Sequence, residues 1–168
     1  MYKTTTTSPL GTLTLVSDGK NLMGLFIEDQ KYFLKGFTNL ILKDDLEIFN
    51  KTKSWLEKYF QGKNPSIKEL KLRLKVTEFQ KSVWKCLLNI PYGSVTTYKE
   101  LAKLSSKKLK RKNMSFQAIG QAVGHNPIAI IIPCHRVIGT NGSLTGYAGG
   151  LEKKLFLLRL EQNFNYDK

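Results

Sequence analysis

The chain has 168 residues, 41% of them hydrophobic, and a formal net charge of +14 at pH 7. That length supports one good core or two small ones, and no apolar run approaches the ~20 residues of a membrane-spanning helix. Two cysteines in unrelated surroundings, Cys86 and Cys134, exclude a disulfide framework, and with His125 and His135 they offer no zinc-type spacing.

In chain order, the first part reads as β-rich. Tyr2 to Thr7, Thr12 to Ser17 and Leu22 to Glu28 carry β-branched or apolar residues, separated by Ser8-Pro9-Leu10-Gly11 and by Ser17-Asp18-Gly19-Lys20-Asn21. Both separators are turn chemistry, the second suited to a hairpin. Lys43 to Gln61 has helical period, with Leu46, Phe49, Trp55, Leu56, Tyr59 and Phe60 as an apolar core-facing stripe and Gly62 as its stop. After Asn64-Pro65, the residues Leu70, Leu72, Leu74 and Val76 alternate as a strand would. A domain boundary is expected here, dividing the chain into residues 1–74 and 75–168.

The second part opens with a helix over Glu78 to Leu88, ended by Asn89-Ile90-Pro91-Tyr92-Gly93. Thr97 and Glu100 have capping-box spacing and predict a short helix through Leu104. A basic loop, Ser105 to Asn113, leads to a second short helix, Ser115 to Val123, whose inward face is Ala118, Ile119, Ala122 and Val123. Two short helices joined by a turn have helix-turn-helix form. A closing helix is expected over Glu152 to Gln162. Residues 1–74 hold 12 Lys/Arg against 8 Asp/Glu, net +4, whereas residues 75–168 hold 15 against 5, net +10. No acidic residue occurs between Leu101 and Leu151. A one-sided basic surface of this kind attracts phosphates through counterion release.

The apolar run Ile128 to Ile132 reads as a buried strand that ends at Pro133, since proline cannot donate to a ladder. Cys134 and His135 follow. A free thiol has a pKa near 8.5, so a nucleophilic cysteine needs a base or positive charge beside it, and His135 and Arg136 are candidates for supplying them. Adjacent side chains of a regular strand point to opposite faces. A Cys134–His135 pair therefore requires a turn after Pro133, a bridging water, or both.

Pro133-Cys134-His135-Arg136-Val137, preceded by Asn126-Pro127 and followed by Gly146-Tyr147-Ala148-Gly149-Gly150-Leu151, resembles the O6-alkylguanine-DNA alkyltransferases. The likeness extends to Pro91-Tyr92-Gly93, Thr97-Tyr98, Leu101-Ala102 and Ser8-Pro9-Leu10-Gly11, and so covers most of the chain. The resemblance implies an α+β protein: a β-sheet and helix N-terminal domain, ribonuclease-H-like, and a mostly helical C-terminal domain with a winged-helix-like helix-turn-helix. It implies repair of O6-alkylguanine, and of O4-alkylthymine, in double-stranded DNA. The damaged base is flipped out of the stack and its alkyl group passes irreversibly to the cysteine, so each molecule acts once. No cofactor, metal, membrane or obligate protein partner is implied, and a cytoplasmic monomer is expected from the polar N-terminus and the family together.

Residue by residue, Cys134 matches the alkyl acceptor and His135 the base that reaches it through water. Glu161 matches the carboxylate that orients the histidine, Asn126 the asparagine that braces the turn, and Tyr98 the tyrosine that donates to the guanine ring as the leaving group gains charge. Tyr147 and Ala148 match the loop that closes over the flipped base. Thr97, Ser115, Ala118, Gly120 and Arg136 are expected on the substrate- or DNA-contacting surface. The sequence departs from the family at Gln117, where an intercalating arginine is common, and in the longer, more basic segment with Lys107, Lys108, Lys110, Arg111 and Lys112. Two other classes remain open. One is a non-enzymatic binder of alkylated DNA, against which Cys134 argues, and the other is a thiol hydrolase using Cys134 and His135.

Overall fold

In the computed structural model, which describes residues 1–110 and 114–162, the chain begins with a β-hairpin. Strand β1 (Tyr2–Ser8) pairs antiparallel with β2 (Gly11–Ser17), with Tyr2 opposite Ser17 and Ser8 opposite Gly11. The turn between them closes because Ser8 Oγ accepts from the Leu10 amide at 3.1 Å and Gly11 takes φ +96°, a conformation open to glycine. Strand β3 (Leu22–Ile27) pairs antiparallel with β2, and β4 (Ile41–Leu42) pairs parallel with β1. The sheet order is β3-β2-β1-β4.

Helix α1 (Glu47–Phe60) buries Ile48, Phe49, Thr52, Trp55, Leu56 and Tyr59 on its sheet-facing side. The helix starts later than the period suggested, because Leu46 is extended and serves as its N-cap. Leu46, as the cap, and Phe60, the last residue of the helix, are half-buried. The alternating run from Leu70 to Val76 does not form a strand. Its backbone meets β3 only at the first strand residue, where the Leu22 amide donates to Lys71 O (2.8 Å) and the Arg73 amide donates to Leu22 O (3.0 Å). Among the described residues, no ladder bond beyond that point holds it extended.

The free edge of β3 takes up a distant piece of chain instead. The Leu25 amide donates to Pro127 O (2.8 Å) and the Ala129 amide to Leu25 O (2.9 Å), so Pro127–Ile131 belongs to the same unit as Met1–Lys75. Apart from that short segment, the division falls between Lys75 and Val76. Nor is Ile128 to Ile132 a strand: it makes one bridge, at Ile128, and turns at Ile130, with φ +69°. The Ile131 amide closes that turn onto Ala129 O at 2.7 Å. Positive φ at a β-branched residue is strained, and surrounding structure must enforce it.

The second unit comprises Val76–Asn126 and the described residues from Ile132 onward. Its helices are α2 (Glu78–Leu87), α3 (Tyr98–Leu109), α4 (Phe116–Gly124) and α5 (Leu151–Gln162). Thr77 with Gln80 and Thr97 with Glu100 form capping boxes that start α2 and α3, as the Thr97–Glu100 spacing predicted. Val83, Trp84 and Leu87 of α2 are buried, as are Leu101 of α3 and Ile119, Ala122 and Val123 of α4, and Trp84 Nε1 donates to Ala122 O at 2.8 Å. Helix α3 runs through most of the expected basic loop. Ser105 is fully buried and its hydroxyl meets Cys86 Sγ at 3.7 Å, so packing against α2 carries the helix past Leu104. Lys107, Lys108 and Lys110 are exposed, whereas Arg111, Lys112 and Asn113 lie outside the described residues. No helix among the described residues is long and apolar enough to cross a membrane.

Candidate active site

Two short parallel strands, β5 (Thr96–Thr97) and β6 (Val137–Ile138), organise the site. Pairing Thr96 with Val137 and Thr97 with Ile138 sets the start of α3 beside the chain leaving Cys134. Just upstream, Pro133 takes φ −82° and ψ 62°, and the Cys134 amide donates to Ile132 O at 2.8 Å. That is an inverse γ-turn, and the proline ring presets its φ. A 3-10 turn over Cys134–Arg136 follows directly. Successive side chains in such a turn lie about 120° apart, so Cys134 and His135 escape the opposite-face geometry of a strand. Asn126 braces the turn: its Nδ2 donates to Ile132 O at 2.7 Å and to Cys134 Sγ at 3.2 Å.

Behind the thiol lies a buried ionic group. His135 Nε2 meets Glu161 Oε1 at 2.6 Å, while Arg136 donates from Nε to Oε2 (2.8 Å) and from Nη2 to Oε1 (3.0 Å). The Gly93 amide adds a bond to Oε2 at 3.2 Å, and Arg136 Nη1 donates to Ile90 O at 2.7 Å. Burial alone would raise the Glu161 carboxyl, but bonds and charge from His135 and Arg136 outweigh it and hold the group well below the usual carboxylate range. Burial depresses His135 despite Glu161, favouring a neutral imidazole. With Nε2–H directed at the carboxylate, Nδ1 is the nitrogen able to take up a proton. Burial also pushes the Cys134 thiol up, opposed by the Asn126 bond and by the charge of Lys154. The resting thiol is protonated at neutral pH and needs a base.

Tyr98 opens α3 and its hydroxyl lies 3.4 Å from both Thr145 O and Gly146 O. Burial, then the charge of Cys134, push that phenol up to about 12, so it stays a donor. Gly146 has φ +53°, and a Cβ there would stand 3.3 Å from Tyr98 Oη, so a side chain at this position would strain the backbone and crowd the phenol. The Tyr147 hydroxyl is buried without a hydrogen-bond partner among the described residues, and its pKa is raised by that burial. Ala148 is half-buried beside it.

Sequence reasoning missed Lys154. Its side chain is fully buried, and Nζ donates to Val137 O (2.6 Å), Thr145 O (2.7 Å) and Gly146 O (3.2 Å). Burial brings its pKa down to about 8. A signal was present: Lys154, Leu157, Leu158 and Glu161 recur at i, i+3, i+4 and i+7, so the inward stripe of α5 begins and ends on a charge.

Arg136 departs from expectation. It is buried, and its guanidinium is spent on Glu161 and Ile90 O, so it is not positioned to contact DNA or substrate. Thr97 and Ser115 act as helix N-caps, Ser115 Oγ accepting from the Ala118 amide at 3.0 Å. Gln117 is exposed on α4, and Ala118 and Gly120 are half-buried there. Among the described residues, no group of three or more His, Cys, Asp or Glu is placed to hold a metal ion.

Residues 1–74 match the model of the 6-O-methylguanine DNA methyltransferase ribonuclease-like domain, and residues 78–163 match the DNA binding domain of the same family. The methylated-DNA–protein-cysteine methyltransferase of Methanosarcina barkeri is 46% identical, covering 97% of this chain and 98% of the relative. That of Haemophilus influenzae is 39% identical, covering 100% and 90%. The crystal structure of Mycobacterium tuberculosis OGT in complex with DNA superposes with a TM-score of 0.85 at 39% identity, over 97% of this chain and 94% of that one. With both domain models matched in order along nearly its whole length, the chain belongs to the 6-O-methylguanine DNA methyltransferase family.

Proposed function

We propose that this protein repairs O6-alkylguanine in double-stranded DNA by moving the alkyl group onto its own Cys134, once per molecule. The observation that carries this reading is the buried thiol held by Asn126 at the head of a turn whose next residue, His135, is hydrogen-bonded to an ionised Glu161. The target base leaves the stack, because its O6 is inaccessible inside a duplex. His135 accepts the Cys134 proton through water. The thiolate sulfur forms a bond to the alkyl carbon, the C–O6 bond breaks, and its electron pair passes to the guanine ring. Tyr98 donates to the ring as that charge develops. The product is a thioether, whose S–C bond is not broken by water or ordinary nucleophiles, so the molecule is spent.

The loop with Tyr147 and Ala148 covers the base, and Asn126 keeps the turn in register. Thr97, Ser115, Gln117, Ala118 and Gly120 lie toward the DNA. O4-alkylthymine is accepted by the same displacement, and the protein works as a cytoplasmic monomer without cofactor, metal or obligate protein partner.

Intact-mass analysis after mixing with a duplex containing O6-methylguanine tests the reading. One methyl group per protein is expected, on Cys134, with unmodified guanine left in the DNA, and Cys134→Ala abolishes transfer while retaining DNA binding. Methylation of Cys86, repeated turnover, or hydrolysis of small esters without DNA would each overturn it.

A further inference from the structure

The first turn of α4 carries an exposed aromatic side chain that folding does not explain. Phe116 is 60% exposed, beside Gln117, whereas the other faces of the helix bury Ile119, Ala122 and Val123. A phenyl left in water returns little to stability, since most of its area stays hydrated. Phe116 is one wall of a surface groove whose other walls include Lys99, Lys103, Met114, Thr97 and Thr140. Glu100 also borders the groove, its Oε2 accepting from the Thr97 amide and the Thr96 hydroxyl at 3.2 and 3.0 Å, so one carboxylate stands against the two lysines and the lining keeps a net positive charge. The groove thus offers two ammonium groups and an aromatic face, the pairing of phosphate contact and base stacking that nucleic acids take.

The rest of that helical face is bare. Gly120 and Gly124 follow Phe116 at i+4 and i+8, and a Cβ at either would meet nothing within 4 Å. Glycine in a helix interior costs about 1 kcal/mol relative to alanine, and no neighbouring atom requires it at Gly120; Gly124 is the last residue of the helix.

We propose that Phe116 is the wedge of this protein: its ring enters the base-pair step next to the flipped guanine and stacks there, while Gln117 hydrogen-bonds the orphaned partner base. The inference rests on the alkyl-transfer reading above. A neutral Gln117 offers one acceptor and two donors but little stacking area, and an apolar wedge recovers part of the unstacking cost by packing. Lys99 and Lys103 hold the strand across the groove while the ring inserts.

The test is single-turnover methyl transfer on duplex and on single-stranded substrate, compared among wild type, Phe116→Ser, Phe116→Leu and Gln117→Ala. Only the duplex has a stack to invade, so the duplex-to-single-strand rate ratio is the readout. Phe116→Ser is expected to lower that ratio about tenfold, the scale of one lost stacking contact. Phe116→Leu, still an apolar wedge, keeps most of it, and Gln117→Ala lowers it less than Phe116→Ser. An unchanged ratio in Phe116→Ser, including equal slowing on both substrates, overturns the wedge. Absence of transfer by wild type on either substrate overturns instead the reading on which the wedge rests. Phe116 is at the surface, and matching thermal melts of the variants separate a local effect from unfolding.

Discussion

A buried thiol is a poor nucleophile until its proton has somewhere to go. Cys134 sits where burial raises its pKa, and in the proposed relay the proton passes to His135, whose imidazole burial favours as neutral and which is hydrogen-bonded to Glu161. His135→Ala and Glu161→Gln are therefore expected to slow methyl transfer far more than they weaken duplex binding. Wild-type transfer rates in either variant would dismiss the relay. Glu161→Gln should also destabilise the fold by about 3 kcal/mol, read from denaturant unfolding, because Arg136 is left buried without its carboxylate. The pH dependence has a definite sign. The folded pKa of His135 lies below its ordinary 6.5, so the unfolded chain binds more protons in the interval between them. Its contribution to stability is present above about pH 6.5 and is lost as pH falls from there toward the folded value. Thermal midpoints of wild type should consequently drop more steeply below pH 6.5 than those of His135→Gln, which has no group to titrate.

Among the elements, α5 holds the site together from behind. Its Lys154 fastens the carbonyls of Val137, Thr145 and Gly146, and its Glu161 fastens the Cys134–Arg136 turn. The spacing of the two is seven residues, about two helical turns, which places them on one face. Lys154→Met keeps the volume but leaves three acceptors without their donor. The expected outcome is faster amide hydrogen exchange at Gly146 to Ala148 and slower methyl transfer, with duplex affinity little changed. Unaltered exchange in that loop would confine Lys154 to packing. The helix pair α3–α4 has a different task. The hydroxyls of its capping residues Thr97 and Ser115 are spent on the helix starts, and beside Ser115 the first turn of α4 exposes Phe116 and Gln117.

Taken whole, the molecule is cationic, and +10 of its +14 net charge lies in residues 75–168. Association with undamaged duplex should weaken steeply with salt, since each phosphate neutralised adds about 0.9 to the slope of log affinity against log salt. Replacing Lys107, Lys108, Lys110, Arg111 and Lys112 with alanine is expected to flatten that slope by about that amount for each residue that touches DNA. A slope that stays the same would assign this stretch to ordinary solvated charge. Titrations by fluorescence anisotropy at several salt concentrations decide it.

What the sequence determined by itself was local. The Ser8 and Asp18 turns, the Thr97–Glu100 capping box, the α1 stripe and the Cys134–His135 pair all depend on residues within a few positions of one another, so residue type and spacing suffice to read them. Tertiary structure decided the rest, because the partners lie far along the chain. Leu70 to Val76 alternates as a strand would, yet a strand needs a neighbour and β3 offers only its first residue. Ile128 to Ile132 looks like a strand by composition, but the edge of β3 captures one residue and the chain then turns at Ile130. Arg136 looks like a DNA contact until Glu161, 25 residues later, claims its guanidinium. Lys154 reads as one more surface lysine until the carbonyls of Val137, Thr145 and Gly146 close around it. Desolvation explains all four: a backbone or charged group inside the protein takes whichever partner the fold brings within reach, and sequence spacing does not say which one that is.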